Sequence, residues 1–201
     1  MKVLGVFVVV LTSAVVGVAA IAGGGSAPSG ATAGAGVGVG DIPHALVGVY
    51  FAAAGSCPGL PWTVLAAIGS IESGHGQGRA DPSSGDVLPP ILGPALDGRP
   101  GFARIPDPTS ADGWAHAQGP MQFLPSTWRQ WGRLAPGRPA GVGASPHNAW
   151  DAIWTAAAYL CGPAGRVSDL RAAVRAYNRS DAYVAKVLAK ATEYEAALQV
   201  S

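Results

Sequence analysis

The sequence predicts a mainly α-helical domain, and three observations carry that prediction. Apolar residues recur with helical spacing in several separate stretches. Most stretches are bracketed by helix start and stop signals. Between them lie long Gly- and Pro-rich segments, with 29 glycines and 17 prolines in 201 residues, and neither hairpins nor alternating strands. Helices joined by loops leave room for at most a minor β element.

The elements follow in order. Residues 3–22 are apolar behind the single charge of Lys2, which marks a secretory signal or an uncleaved membrane anchor. Ala20-Ile21-Ala22 fits a small-x-small cleavage site. Export of the protein follows from either reading. Residues 23–40 are nearly all Gly, Ala, Ser, Pro and Val, a flexible tether without a packable face. The folded domain is expected over 41–201. Ile42, Leu46, Val47, Tyr50, Phe51 and Ala54 form a first helical stripe, with Pro43 in its first turn. Residues 61–73 form a second, strongly apolar helix that Gly74 stops. Residues 75–118 have no sustained period, and a loop of that length is functional or mobile. A short helix over 125–131 ends at Gly132, and a second loop covers 133–147. Asn148 caps a helix through Cys161, Ser168 caps the next, and Asp181 caps the last. No internal repeat is present.

The formal net charge of +1 and the 12% charged content provide no basic patch for nucleic acid. The four histidines lack paired spacing and the two cysteines lie far apart, so neither a metal nor a cofactor is expected. In an exported protein, Cys57 and Cys161 read as one disulfide; the alternative is two buried free thiols.

Glu72 stands apart among twelve carboxylates, because it alone closes a strongly apolar helix. The negative end of the helix dipole and the neighbours Ile68 and Ile71 disfavour its charged form and raise its pKa. A carboxyl that keeps its proton near neutral pH is suited to general acid catalysis. Two further segments carry candidate chemistry: Gly119-Pro120-Met121-Gln122-Phe123-Leu124-Pro125-Ser126-Thr127-Trp128 and Ala176-Tyr177-Asn178. The Gln122 carboxamide suits sugar hydroxyl or N-acetyl groups. Met121, Phe123 and Trp128 are apolar walls for sugar faces, and Tyr177 and Asn178 are suited to orient the acid. Of the six tryptophans, Trp114 in the long loop is the candidate for sugar stacking.

Taken together, Glu72-Ser73, Gly119-Pro120-Met121-Gln122-Phe123-Leu124-Pro125 and Ala176-Tyr177-Asn178 resemble the motif set of the lytic transglycosylases, in particular exported actinobacterial-type members. The resemblance spans roughly residues 42–195. It implies a goose-type lysozyme-like fold and cleavage of peptidoglycan glycan strands between N-acetylmuramic acid and N-acetylglucosamine, leaving a 1,6-anhydro end. It implies Glu72 as catalytic acid and then base, with Ser73, Met121, Gln122 and Phe123 along the groove and Tyr177 and Asn178 near the acid. Two departures stand out. The segment between Glu72 and Gly119 is long, with Ser83 or Ser84 in place of a clearly alignable serine, and Arg179-Ser180 follows Tyr-Asn where the family favours small residues. Three other readings compete. A hydrolytic muramidase needs a second carboxylate, such as Asp81 or Asp86. A cysteine peptidase needs Cys57 or Cys161 with His44, His75, His116 or His147 as base. A non-catalytic glycan-binding module needs no Glu72 at all.

Overall fold

The computed structural model describes residues 39–199. The signal or anchor expected over residues 1–22, and the tether up to residue 38, lie outside the described residues. The described chain is mainly helical, with six helices and isolated β-bridges in place of a sheet. None of these helices is long and apolar enough to cross a membrane.

Helix α1, His44–Gly55, follows Pro43 and buries Leu46, Tyr50, Ala53 and Ala54. Phe51, expected on that stripe, is instead 66% exposed. Val39 and Ile42 are already buried ahead of the helix, so packing begins slightly before residue 41.

Helix α2, Trp62–Gln77, is the centre of the molecule. Every residue from Thr63 to Gly69 is buried, as befits a helix apolar on all sides. It packs against α1, against α4 (Ala149–Cys161) and against α6 (Asp181–Gln199). Alanines at 149, 152, 156 and 157 are buried, which lets the backbone of α4 approach closely. Helices α3 (Pro125–Trp131) and α5 (Leu170–Tyr177) complete the set.

The caps are partly those expected. Asn148 accepts from the backbone N–H of Trp150 and Asp151, as predicted. Asp169 rather than Ser168 caps α5, through a bond from Ala172 N at 3.0 Å. At α6 the Ser180 hydroxyl accepts from Tyr183 N at 3.2 Å, and Asp181 is the first helical residue.

The segment between α2 and α3 lacks periodicity but not order. Antiparallel bridges join Ala80 to Val87, Leu92 to Gln118, Asp97 to Arg104, and Pro106 to Trp114. The scattered aspartates are its turn formers: Asp81, Asp97, Asp107 and Asp112 each accept from the backbone N–H two residues on. Asp151, legible only as a helix-start acid, is fully buried and braces the second loop. It accepts from Ala135 N and Ser145 N and lies 3.4 Å from the Arg138 guanidinium.

Candidate functional site

The regular turns of α2 stop after Ser73. Gly74, His75 and Gly76 take left-handed backbone angles, and Gln77 and Gly78 continue them. Such a run reverses the chain sharply, which two non-glycine residues tolerate only where tertiary contacts hold them. Glu72 thus lies in the last right-handed turn.

Its carboxyl is held from one side. The Tyr183 hydroxyl on α6 donates to Glu72 Oε1 at 2.6 Å. The residue keeps partial solvent contact, but Oε2 is shielded and has no hydrogen-bond partner among the described residues. Burial pushes the carboxyl up to about pKa 8, against the downward pull of the Tyr183 hydrogen bond and the Lys186 charge. Tyr183 itself is driven well above its ordinary value, chiefly by burial, and stays a donor. Because Oε1 is committed as an acceptor, the hydrogen-bond pattern assigns the acid proton to Oε2. Tyr183→Phe is expected to raise the Glu72 titration midpoint further, because a hydrogen bond to the charged form is lost. Carboxyl-carbon NMR titration reads this directly, and an unmoved midpoint contradicts it. Nothing in the sequence pattern marked Tyr183; its position one turn before Val187 on the buried face of α6 was the available signal.

The three motif segments do come together. Ser73 Oγ donates to the Pro120 carbonyl at 2.6 Å and accepts from Gly76 N at 2.8 Å. Tyr177 OH donates to the Met121 carbonyl at 2.7 Å, and Tyr177 is close enough to Glu72 for their charges to interact. Gly119, at φ +71°, runs so close to Pro146 that a Cβ there would meet its carbonyl oxygen at 1.6 Å. Gln122 adopts φ 49° and turns its Nε2 back onto the Gly119 carbonyl at 2.8 Å.

These contacts correct several expected roles. Met121 and Phe123 are fully buried, so their side chains are core and not groove walls. Phe123 packs edge-on to Trp128, Tyr159 and Tyr177. The Ser73 hydroxyl is spent on fastening α2 to the Gly119–Pro120 turn. Gln122 is 7% exposed and Asn178 4%, the latter at the end of α5 with its N–H on the Val174 carbonyl. Tyr177 is buried, with its hydroxyl spent on the Met121 carbonyl. The segments therefore build the support for Glu72 more than a substrate surface. Trp114 remains half-buried, with Arg104 5.6 Å from its ring centroid.

Open space lies beside the end of α2. A cleft of about 590 Å³ runs between the helix end, at Ser70, Ile71, Ser73 and Gly74, and α6, at Lys186 and Lys190. Glu72 sits between two of its lining residues without lining it.

His75, one of the candidate bases of the peptidase reading, is buried at 1% exposure. Its Nδ1 meets Tyr50 OH at 2.9 Å and its Nε2 meets Tyr194 OH at 3.0 Å. Tyr194 OH donates onward to Asp41 Oδ1 at 2.8 Å, so its oxygen accepts from His75 Nε2–H, and Nδ1 accepts from Tyr50. Gly69 leaves the space for the Tyr50 hydroxyl, which a Cβ there would meet at 2.0 Å. Burial lowers the His75 pKa to about 4, against the opposing charge of Asp41. Burial raises the Asp41 carboxyl, but bonds from Tyr194, Lys190 and Ser70 outweigh it and hold it at about 2. A depressed histidine contributes stability that is complete above pH 6.5 and lost as pH falls toward 4. His75→Phe is therefore expected to change the slope of the stability profile across that window by removing the His75 contribution, on the order of 2–3 kcal/mol, which the opposite titration of Glu72 offsets in the wild type above about pH 4.5. Denaturant midpoints measured at half-unit pH steps test it; an equal slope in both proteins contradicts it.

Cys57 and Cys161 are joined as a disulfide, with Cα atoms 5.7 Å apart, and no described cysteine is free. The peptidase reading loses its nucleophile. Its histidines are no better placed, since His75 is enclosed by tyrosines and His116 is held by the Gly93 carbonyl and Asp112. No family model, curated protein or solved structure matches this chain.

Proposed function

We propose that this chain is a peptidoglycan lytic transglycosylase that acts through Glu72 alone. The observation that carries the reading is the Glu72 carboxyl, with one oxygen anchored by Tyr183 and the other without a partner among the described residues. An acid of pKa near 8 holds its proton at neutral pH and can still release it.

In the reaction, Glu72 Oε2 gives its proton to the glycosidic oxygen as the bond from that oxygen to C1 of the muramic unit breaks. Positive charge builds at C1, and the N-acetyl group is the internal partner for it. The C6 hydroxyl of the same sugar then attacks C1, and its proton returns to Glu72. The products are a new 4-hydroxyl end and a 1,6-anhydro ring, with Glu72 restored and no water consumed.

The alternative hydrolytic route asks for a second carboxylate. The sequence offered Asp81 and Asp86, and both are engaged elsewhere. Asp81 closes its own turn on Ser83 and Ser84, and Asp86 accepts from Asn148 Nδ2 at 2.8 Å. Among the described residues, no other carboxylate shifts the Glu72 pKa. These facts favour the one-carboxylate route. The test is the mass of the glycan fragments released from purified peptidoglycan. Transglycosylation leaves fragments lighter by one water and without a reducing end. Fragments with reducing ends establish the muramidase instead, and binding without fragments establishes the non-catalytic module.

A further inference from the structure

Asp41 joins separate parts of the molecule, and the reaction above does not use it. It precedes α1 and its side chain is 48% exposed. It accepts from Ser70 Oγ on α2 at 2.9 Å and from Tyr194 OH on α6 at 2.8 Å. Lys190, also on α6, pairs with it at 3.1 Å. Through these partners it ties α6 to α2 at a residue two places before Glu72.

Through Tyr194 it also reaches the reversing turn behind Glu72. Asp41 is ionised at neutral pH and can only accept. The Tyr194 proton therefore points outward, and the hydroxyl oxygen is left to accept from His75 Nε2–H, with Tyr50 donating to Nδ1. One carboxylate thus sets the direction of every hydrogen bond in the row. His75 lies in the left-handed run Gly74 to Gly76, and Gly76 N–H returns to the hydroxyl of Ser73, the neighbour of Glu72. Such a turn persists only where its surroundings over-determine it. Without Asp41, Tyr194 is able to donate inward or outward, the row has two proton arrangements, and Ser70 loses its acceptor.

We propose that Asp41 is a positioning residue for the acid: by fixing the His75 tautomer and the end of α2 at Ser70, it holds the turn that presents Glu72. The inference rests on reading Glu72 as a glycan-cleaving acid. Asp41 itself delivers no proton and acts through Ser70, Tyr194 and His75.

The experiment compares the full chain with Asp41→Ala and Asp41→Asn. Nitrogen NMR of the imidazole reads the His75 tautomer, and cleavage of purified peptidoglycan reads kcat and KM. The parent is expected to carry the proton on Nε2 alone. Asp41→Ala should give a mixture of the two tautomers and lower kcat by about tenfold with KM unchanged, the signature of a misplaced catalytic group. Asp41→Asn keeps an oxygen for Tyr194, and so should keep the tautomer and most of kcat. A single Nε2–H tautomer in Asp41→Ala, an unchanged kcat, or Asp41→Asn as damaging as Asp41→Ala overturns the assignment. If the parent releases no fragments, a mixed tautomer in Asp41→Ala together with a displaced Glu72 carboxyl resonance keeps the coupling and overturns the transglycosylase reading.

Discussion

Glu72→Gln is expected to abolish glycan cleavage while leaving the fold and glycan binding intact. The amide keeps the shape and still accepts from Tyr183, but it has no acid proton to deliver. Losing a general acid costs typically about 10²–10⁴-fold, and in the proposed mechanism the same group also serves as the base. The variant should lose the larger part of that range or more. A second signature separates this from unfolding. The Glu72 carboxyl has a raised pKa, so its contribution to stability is complete below about pH 4.5 and is lost as pH rises toward 8. Removing the ionisable group makes Glu72→Gln more stable than the parent at pH 8. The gain is about 1–2 kcal/mol after allowance for partial solvent contact, and it vanishes near pH 4. Fragment release by mass spectrometry and thermal melts at the two pH values check both halves. Retained cleavage removes Glu72 from the mechanism, and a melt that falls at pH 8 removes the buried-acid description.

Reduction of the disulfide is expected to be the most damaging change outside the site. Cys57 lies two residues beyond α1 and Cys161 closes α4, so the bond pins two helix ends. It closes a loop with a sequence separation of 104, for which the chain-entropy model gives an upper figure of about 4.7 kcal/mol. Domains of this size are stable by about 5–15 kcal/mol, so the loss removes a large share. The paired replacement Cys57→Ser with Cys161→Ser should lower the denaturant midpoint by several kcal/mol equivalent. Alkylation of the unreduced protein should find no free thiol. Two labelled thiols, or an unmoved midpoint, contradict the prediction.

The six helices were legible because each combines a local signal with an apolar stripe: Asn148 before α4, Gly74 where the regular turns of α2 stop, Pro125 at the start of α3. The misses are places where a neighbour competes for the same role. Ser168 and Asp169 both make good caps, and only the backbone geometry selects Asp169. Glu72 was legible because an acid at the end of an apolar helix is costly without a purpose. Its partners were not, because Tyr183 lies 111 residues downstream and a tyrosine on a helix stripe reads as core. Met121 and Phe123 were misassigned for the converse reason. Sequence gave their apolar character, and burial against Tyr177 and Tyr159 decides that this character serves packing.

Helix α6 gives the acid a dependence on timing. Its tyrosines reach back to Glu72 and His75, and through Tyr194 to Asp41, across separations of 111, 119 and 153 residues. Before α6 docks, Glu72 is an ordinary solvated carboxyl that is ionised at neutral pH. A chain emerging from synthesis carries every motif residue up to Asn178 while its acid is still unarmed. Protonation of Glu72 at neutral pH therefore arrives with the closing contact of the fold, and a nicked or truncated chain without α6 keeps the carboxylate but not the acid.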